Sequence, residues 1–526
     1  MDKMKIKKQT LFLVTTLVIL GIFLIANPVV VYGNRQPCRR TYGPSVASTE
    51  IFNWVNIINN RDIKLYPDLK ESIWQLPRSP YGSYDKIGLH RVVKEGIEPK
   101  SVVFMLPGTW SNGEQLISNP LSDSWTKDES HTFAYYLANR DFEVYALDYR
   151  THFVNQYLEP KDLSFIANWG WDIWISDIKE AVEFIKATSG VEKIYIAGDS
   201  FGGSAAMNYA SRYWEEDLKG ILLRDGGPGG KIPEVVTNSY NLTKEIEDMI
   251  ATGMWYSEVG GTPGSIFVMK YADANPGAPA EFPPGTALFP EISPLTGEPW
   301  NNISEWAAYM LYVAWGQGAV TNIVDGYGDP LVMIHIDATF DRYWPTRLSL
   351  ESNAILNWDN CPYVTYDFDD HFNEIDVPLL AFTSELFGLN YWGPFRPGIA
   401  NPDFTGVYLW KYGHLDVYSG EYSEVDVSKP TYEWLTNRRM LEGYGAIGRY
   451  IYQNCEKATI FINDKTIYFK VGDKALLFNI QFQHFRDSYD YYAGTNGFCS
   501  TVVWIFEDRH QSFASGRGII FIGYEI

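Results

Sequence analysis

Gly198-Asp199-Ser200-Phe201-Gly202 sets a serine between two glycines, after the apolar run Ile194-Tyr195-Ile196-Ala197 and before the small residues Gly203, Ser204, Ala205 and Ala206. The apolar run reads as a buried strand and the small residues as a helix lying close on a sheet, so Ser200 falls at a strand-to-helix bend. At such a bend the glycines remove side chains that would clash, and the hydroxyl projects alone. The chemistry this allows is nucleophilic attack, with the Phe201 N–H and the positive end of the helix dipole facing a developing oxyanion. A hydroxyl is weakly nucleophilic at neutral pH and needs a base, for which the chain offers eight histidines.

Holding such a serine in place takes a sheet of buried strands. Ser101-Val102-Val103-Phe104-Met105-Leu106 is a continuous apolar run halted at Pro107-Gly108-Thr109-Trp110, as expected of a strand covered on both faces. A helix over Thr132 to Asn139, a strand over Phe142 to Arg150 and another at Gly220-Ile221-Leu222-Leu223 follow the same rhythm. Ile175, Ile178, Val182 and Ile185 line one stripe of a helix that leads into the Ser200 strand. The alternation over 101–229 predicts an α/β fold with a mostly parallel, doubly wound sheet. Residues 34–96 read as a lead-in of edge strands, so 34–229 is the first part of the core.

The rhythm stops after Asp225-Gly226-Gly227-Pro228-Gly229-Gly230 and resumes at Val377-Pro378-Leu379-Leu380-Ala381-Phe382, which marks 230–372 as an insertion. Its rings, including Trp255, Tyr256, Trp300, Trp306, Tyr309, Tyr312 and Trp315, suit either a core of its own or a cap over the serine. The second part of the core, 373–439, carries Gly406-Val407-Tyr408-Leu409-Trp410 and a terminal helix around Thr431 to Met440. From 440 to 526, the alternation in Phe478 to Gln483 and the turns at Asn463-Asp464, Gly472-Asp473 and Gly516-Arg517-Gly518 predict a small, separate all-β domain.

Four lysines followed by an uncharged run from Thr10 to Gly33 make residues 1–33 a signal peptide or an N-terminal membrane anchor, which places the folded part outside the cytoplasm. Four cysteines, Cys38, Cys361, Cys455 and Cys499, fit an oxidising compartment, with Cys455 and Cys499 the expected pair. A formal charge of -21 with no basic cluster beyond the N-terminus argues against nucleic acid as a partner.

Residues 97 to 438 resemble the α/β-hydrolase family. The resemblance rests on the elbow Gly198 to Gly202, on Leu106-Pro107-Gly108-Thr109-Trp110 at the place of the oxyanion loop, and on Gly413-His414-Leu415-Asp416 after the last strand. It implies the order serine, acid, histidine. On that order His414, in the loop after the last strand, is the expected base; of the others, His90, His131 and His152 precede the serine, His371 precedes the seventh strand, and His484 and His510 lie in the C-terminal segment. The family often has His-Gly at the oxyanion loop where this chain has Pro107-Gly108; the expected donor is a backbone N–H, that of Thr109, which the change leaves in place. The acid of this fold usually follows the seventh strand, which makes Glu385 the first choice; Asp225, after the sixth strand, and Asp403 are the alternatives.

Asp367, Asp369, Asp370, His371, Glu374 and Asp376 crowd together but lack the glycine-turn spacing of a calcium loop, and neither metal nor cofactor is expected. The expected function is hydrolysis of a carboxylic ester, small or lipid-like, through an acyl-enzyme on Ser200. A peptidase or acyltransferase on the same triad, or an exported binding protein that keeps the fold without turnover, are the alternatives.

Overall fold

The computed structural model describes residues 54–437 except 64–65, 81, 118–132, 228–241, 260–264, 281–292, 294–295, 316–327, 354–373, 385–403, 410–411 and 421, and beyond them the backbone of five strands within 458–525. The first strands are β1 (Val55–Ile63), β2 (Tyr66–Pro77), β3 (Lys86–Lys94), β4 (Ser101–Leu106), β5 (Phe142–Asp148), β6 (Ile194–Asp199) and β7 (Leu218–Arg224). The short β8 (Tyr256–Glu258) and β9 (Tyr343–Pro345) precede β10 (Leu379–Ser384) and β11 (Phe404–Leu409). The last are β12 (Ala458–Asn463), β13 (Thr466–Val471), β14 (Lys474–Asn479), β15 (Phe498–Ile505) and β16 (Gly518–Glu525). Between them run the helices α1 (Gly113–Ile117), α2 (Phe133–Ala138), α3 (Trp171–Ser189), α4 (Phe201–Asp217), α5 (Leu242–Thr252), α6 (Ser265–Ala274), α7 (Ile303–Trp315), α8 (Pro330–Ala338), α9 (Thr346–Asn353), α10 (Asp416–Ser419) and α11 (Lys429–Asn437).

Eleven strands form one sheet in the order β1-β2-β3-β5-β4-β6-β7-β10-β11-β16-β15. Neighbours from β5 to β11 are parallel, and the flanking pairs are antiparallel. The parallel part is covered on both sides. Along β4, Val102, Phe104 and Leu106 enter one core with α3 and α4, while Val103 and Met105 enter another with α2 and α11. That is the period of two in a strand with no solvent face, and it explains why β4 reads as an unbroken apolar run. On α3 the stripe Ile175, Ile178, Val182 and Ile185 is buried throughout, each side chain contributing about 1.5–3 kcal/mol. Gly190, in the left-handed region at φ 65°, ends the helix and donates its N–H to Lys186 O.

The lead-in read as edge strands supplies β1, β2 and β3 at one end of the sheet, and the outermost, β1, leaves Val55 and Ile57 exposed, so burial imposes little pattern on it. One feature departs from the sequence-based reading. In the C-terminal segment β12, β13 and β14 do form a sheet of their own, but β16 pairs with β11 and β15 with β16, extending the main sheet. This segment is therefore not wholly separate. β11 would otherwise present a row of unpaired N–H and C=O groups, and β16 supplies their partners. Residues 1–33, Cys38, Cys361 and Cys455 lie outside the described residues, as do most of the acidic cluster and the greater part of the Phe478 to Gln483 alternation.

The insertion between β7 and β10 carries α5 to α9. Trp300, Trp306, Leu311 and Met333 form a core of its own, with Tyr309 packed against it, while Tyr343, Trp344 and Leu348 join the core of the main sheet. Asp337, on α8, is buried, its Oδ1 finds no hydrogen-bond partner among the described residues, and burial pushes its pKa well above the usual carboxylate range. An acid whose folded pKa is raised favours the unfolded chain increasingly as pH climbs above its ordinary value. Asp337→Leu is accordingly expected to stabilise the protein by about 1–3 kcal/mol at neutral pH. Denaturant titrations at pH 4 and pH 8 should show the gain widening with pH; an equal or negative difference at both would refute it.

Candidate active site

Ser200 stands between the end of β6 and the first residue of α4, with φ 52° and ψ −119°. A non-glycine residue in that region costs about 1–3 kcal/mol, which the surrounding packing must offset. The packing is tight. A Cβ on Gly198 would lie 2.1 Å from Gly202 O, and one on Gly202 would lie 2.0 Å from Leu106 O, so no side chain fits at either position. The Ser200 N–H donates to Arg224 O at 3.1 Å, and the Gly203 N–H donates to Ser200 O at 2.9 Å, which ties the bend to β7 and starts the helix.

His414 lies in the loop between β11 and α10, and its Nε2 is 2.8 Å from Ser200 Oγ. Its Nδ1 is 2.7 Å from Asp225 Oδ2. A carboxylate can only accept, so Nδ1 carries the proton and Nε2 is free to accept the one on Ser200. Asp225 follows β7 directly, at φ 47°. Ser384, the last residue of β10, donates its N–H to Asp225 Oδ1 at 2.8 Å and its hydroxyl to Oδ2 at 2.6 Å. Asp225 and His414 are both buried, whereas Ser200 is half-buried and within reach of a substrate.

The carboxylate on the imidazole is thus Asp225, which corrects the first choice, Glu385. Glu385 and Asp403 lie outside the described residues. The reason is a division of labour between neighbouring strand ends: β7 supplies the acid, and β10, where the acid was sought, supplies the serine that holds it.

The Pro107-Gly108-Thr109 loop closes over the serine from the end of β4, since a Cβ on Gly108 would sit 3.1 Å from Ser200 Cβ. Trp110, next in the loop, is in the left-handed region at φ 59°, and its carbonyl accepts from Asp341 N–H at 2.7 Å. Asp341 also accepts from Asn112 Nδ2 at 3.0 Å and Thr151 Oγ1 at 2.9 Å, so a residue of the insertion pins the loop that carries Thr109. Phe201 begins α4, where the first N–H groups of a helix have no partner within it. Its ring stacks on Trp171 at 4.8 Å between centroids and meets Trp344 of the insertion edge-on at 5.0 Å.

A Sulfolobus solfataricus protein provisionally described as a lipase, whose crystal structure is known, is 38% identical to this chain; the match covers 73% of this chain and 99% of that one, with a TM-score of 0.58. The chain belongs to the α/β-hydrolase family. The family model described as serine aminopeptidase, S33, matches residues 126–251. A proline iminopeptidase from Flavobacterium johnsoniae is 25% identical over 146 residues, 28% of this chain and 41% of that protein's length. The chain therefore matches well under half of that curated relative. A monoacylglycerol lipase from Paleococcus ferrophilus is 15% identical, with 66% of this chain and 98% of that one covered and a TM-score of 0.37.

Sequence reasoning passed over Ser384 and Asp341. Ser384 stands beside Glu385 at the end of a buried strand, so the pattern drew attention to the right place and the wrong side chain. Asp341 carried no signal, because its partners lie 190 and more positions away, at Thr151 and Asn112.

Proposed function

We propose that this chain is an exported serine hydrolase that cleaves a carboxylic ester through an acyl-enzyme on Ser200. The observation that carries the reading is the continuous chain of hydrogen bonds from Ser200 Oγ through His414 to Asp225. In the acylation step His414 Nε2 takes the hydroxyl proton while Oγ attacks the ester carbonyl carbon. The carbonyl oxygen becomes an oxyanion facing the N–H groups of Phe201 and Thr109. The tetrahedral intermediate collapses as the C–O bond to the alcohol breaks, and His414 returns the proton to the departing oxygen. Water, deprotonated by the same imidazole, then attacks the acyl carbon, and the bond to Oγ breaks as His414 returns that proton to Ser200. Asp225 keeps the proton on Nδ1 throughout and stabilises the imidazolium.

What supports an apolar substrate is the apolar face that the insertion packs beside the site. Leu415, next to His414, packs with Val259, Ile266, Val332, Ile336 and Phe340 of the insertion, and Trp344 lies against Phe201. Export is supported by the lysines and uncharged run of the first 33 residues, which would leave the chain secreted or anchored at the membrane surface.

Labelling of the purified protein with a fluorophosphonate, with the adduct mapped by mass spectrometry, tests the nucleophile, and p-nitrophenyl esters of graded acyl length test the substrate class. A single adduct on Ser200 and faster turnover of medium or long acyl esters than of acetate are expected. No adduct, or an adduct elsewhere, would defeat the reading. The S33 match and the iminopeptidase relative favour one second reading, a peptidase on the same residues. Turnover of prolyl p-nitroanilide above that of every ester would establish it instead.

A further inference from the structure

Immediately before Ser200 and Asp225 stand two residues of opposite charge. Asp199 ends β6, Arg224 ends β7, and the strands pair them in register. In a parallel pair, residues in register point to the same face of the sheet. Arg224 Nε donates to Asp199 Oδ1 and Nη2 to Oδ2, each at 2.5 Å, a two-pronged pair with both side chains buried. Burial raises the Asp199 carboxyl while the guanidinium holds it down.

Stability alone does not account for this pair. The residues that lead up to the pair, Ile196-Ala197-Gly198 on β6 and Ile221-Leu222-Leu223 on β7, are apolar or glycine, and apolar side chains of similar volume commonly serve a core as well as a buried ion pair does. The pair is also not fully satisfied, since Arg224 Nη1 is buried with no hydrogen-bond partner among the described residues, which is itself unfavourable. Its position is what distinguishes it. The Arg224 carbonyl accepts the Ser200 N–H, its side chain grips the residue before Ser200, and its own chain continues into Asp225. The guanidinium lies 4.0 Å from the Phe133 ring centroid and 5.2 Å from that of Tyr418, which belongs to the short helix after His414. Arg224 therefore touches all three segments that bring the serine, the acid and the histidine together.

We propose that Arg224, gripped by Asp199, is a positioning residue that sets the distance between Ser200 Oγ, His414 and Asp225. The inference rests on the hydrolase reading above and extends it to a pair that touches no substrate atom. A fork with two parallel bonds fixes direction as well as distance, which a lysine cannot do. Strands β6 and β7 already pair through their backbones; the fork adds a constraint at the one point where both chains leave the sheet at positive φ.

The test uses the full chain in two forms, the double variant Asp199→Leu/Arg224→Met, which removes both charges at similar volume, and Arg224→Lys, which keeps the charge and loses the fork. Thermal midpoints, kcat and KM for a p-nitrophenyl ester, and the rate of fluorophosphonate labelling are measured together with wild type. A displacement of about 1 Å in reacting groups costs on the order of 10²-fold. The double variant is expected to lose about that factor in both kcat and labelling rate with KM within threefold, and Arg224→Lys to lose at least tenfold. A folded double variant, or Arg224→Lys if the double variant does not fold, with wild-type kcat and labelling overturns the proposal, even where its melting point has fallen. Wild-type protein that takes no label at Ser200 defeats the hydrolase reading instead, so the two failures are told apart.

Discussion

Asp225→Asn is expected to lower kcat for an ester by about 10⁴-fold while KM and the melting temperature stay close to wild type, and Glu385→Gln is expected to keep wild-type turnover. The asparagine has the same shape, so Ser384 retains an oxygen for its N–H or its hydroxyl, and the strand ends stay joined. What changes is the proton on His414. An amide NH2 turned towards Nδ1 can only donate, which drives the imidazole to the tautomer protonated on Nε2. That nitrogen, 2.8 Å from Ser200 Oγ, could then no longer accept the hydroxyl proton. An amide turned the other way would set its NH2 against the Ser384 N–H, donor against donor, which the buried site disfavours. Either way an interaction made in the transition state is lost and ground-state binding is spared, the pattern of lower kcat at constant KM. Steady-state kinetics on the two variants decide the matter: if Asp225→Asn remains within tenfold of wild type and Glu385→Gln does not, the acid is not the one on the imidazole here.

That contrast shows where the chain could be read and where it could not. The elbow was legible because its constraint is local: Gly198 and Gly202 have no room for a side chain, and the strand and helix on either side carry their own periodicities. β4 and α3 were legible for the same reason, since each is buried on faces that its own sequence spacing reveals. His414 followed from order along the chain once the elbow was placed. The acid did not, because Asp225 and Ser384 are 159 positions apart and meet only when β7 and β10 become neighbours in the sheet. A carboxylate at a strand end is ordinary, and nothing local separates one that meets a histidine from one that meets water. The joining of β16 to β11 was hidden similarly: a strand that reads as part of a separate β unit pairs equally well with any open edge.

His90 carries the second large effect, on stability. It lies on β3 between two carboxylates, Nδ1 at 2.9 Å from Glu71 on β2 and Nε2 at 3.0 Å from Asp148 on β5, with all three side chains buried. Burial opposes the imidazolium, but Asp148 and Glu71 outweigh it and raise the His90 pKa from 6.5 to about 10. Burial opposes both carboxylates, yet both are held below their ordinary values, Asp148 by the charges of His152 and His90 and the Gly113 N–H, and Glu71 by His90 and Arg61. His90→Leu would leave two carboxylates facing an apolar side chain, and removing one member of a buried ionic group costs about 3–5 kcal/mol. The sign with pH follows from the directions of the shifts. The raised histidine contributes its full stability below pH 6.5 and loses it as pH rises towards about 10. The lowered carboxyls contribute above their ordinary values of 4.5 and 3.8 and lose their share as pH falls below those. The gap in melting temperature between wild type and His90→Leu is therefore expected to be widest between pH 4.5 and 6.5 and to narrow on either side. Circular dichroism melts from pH 3 to 11 measure it directly, and a gap that stays constant across the range would mean that the three groups are not charged together in the folded chain.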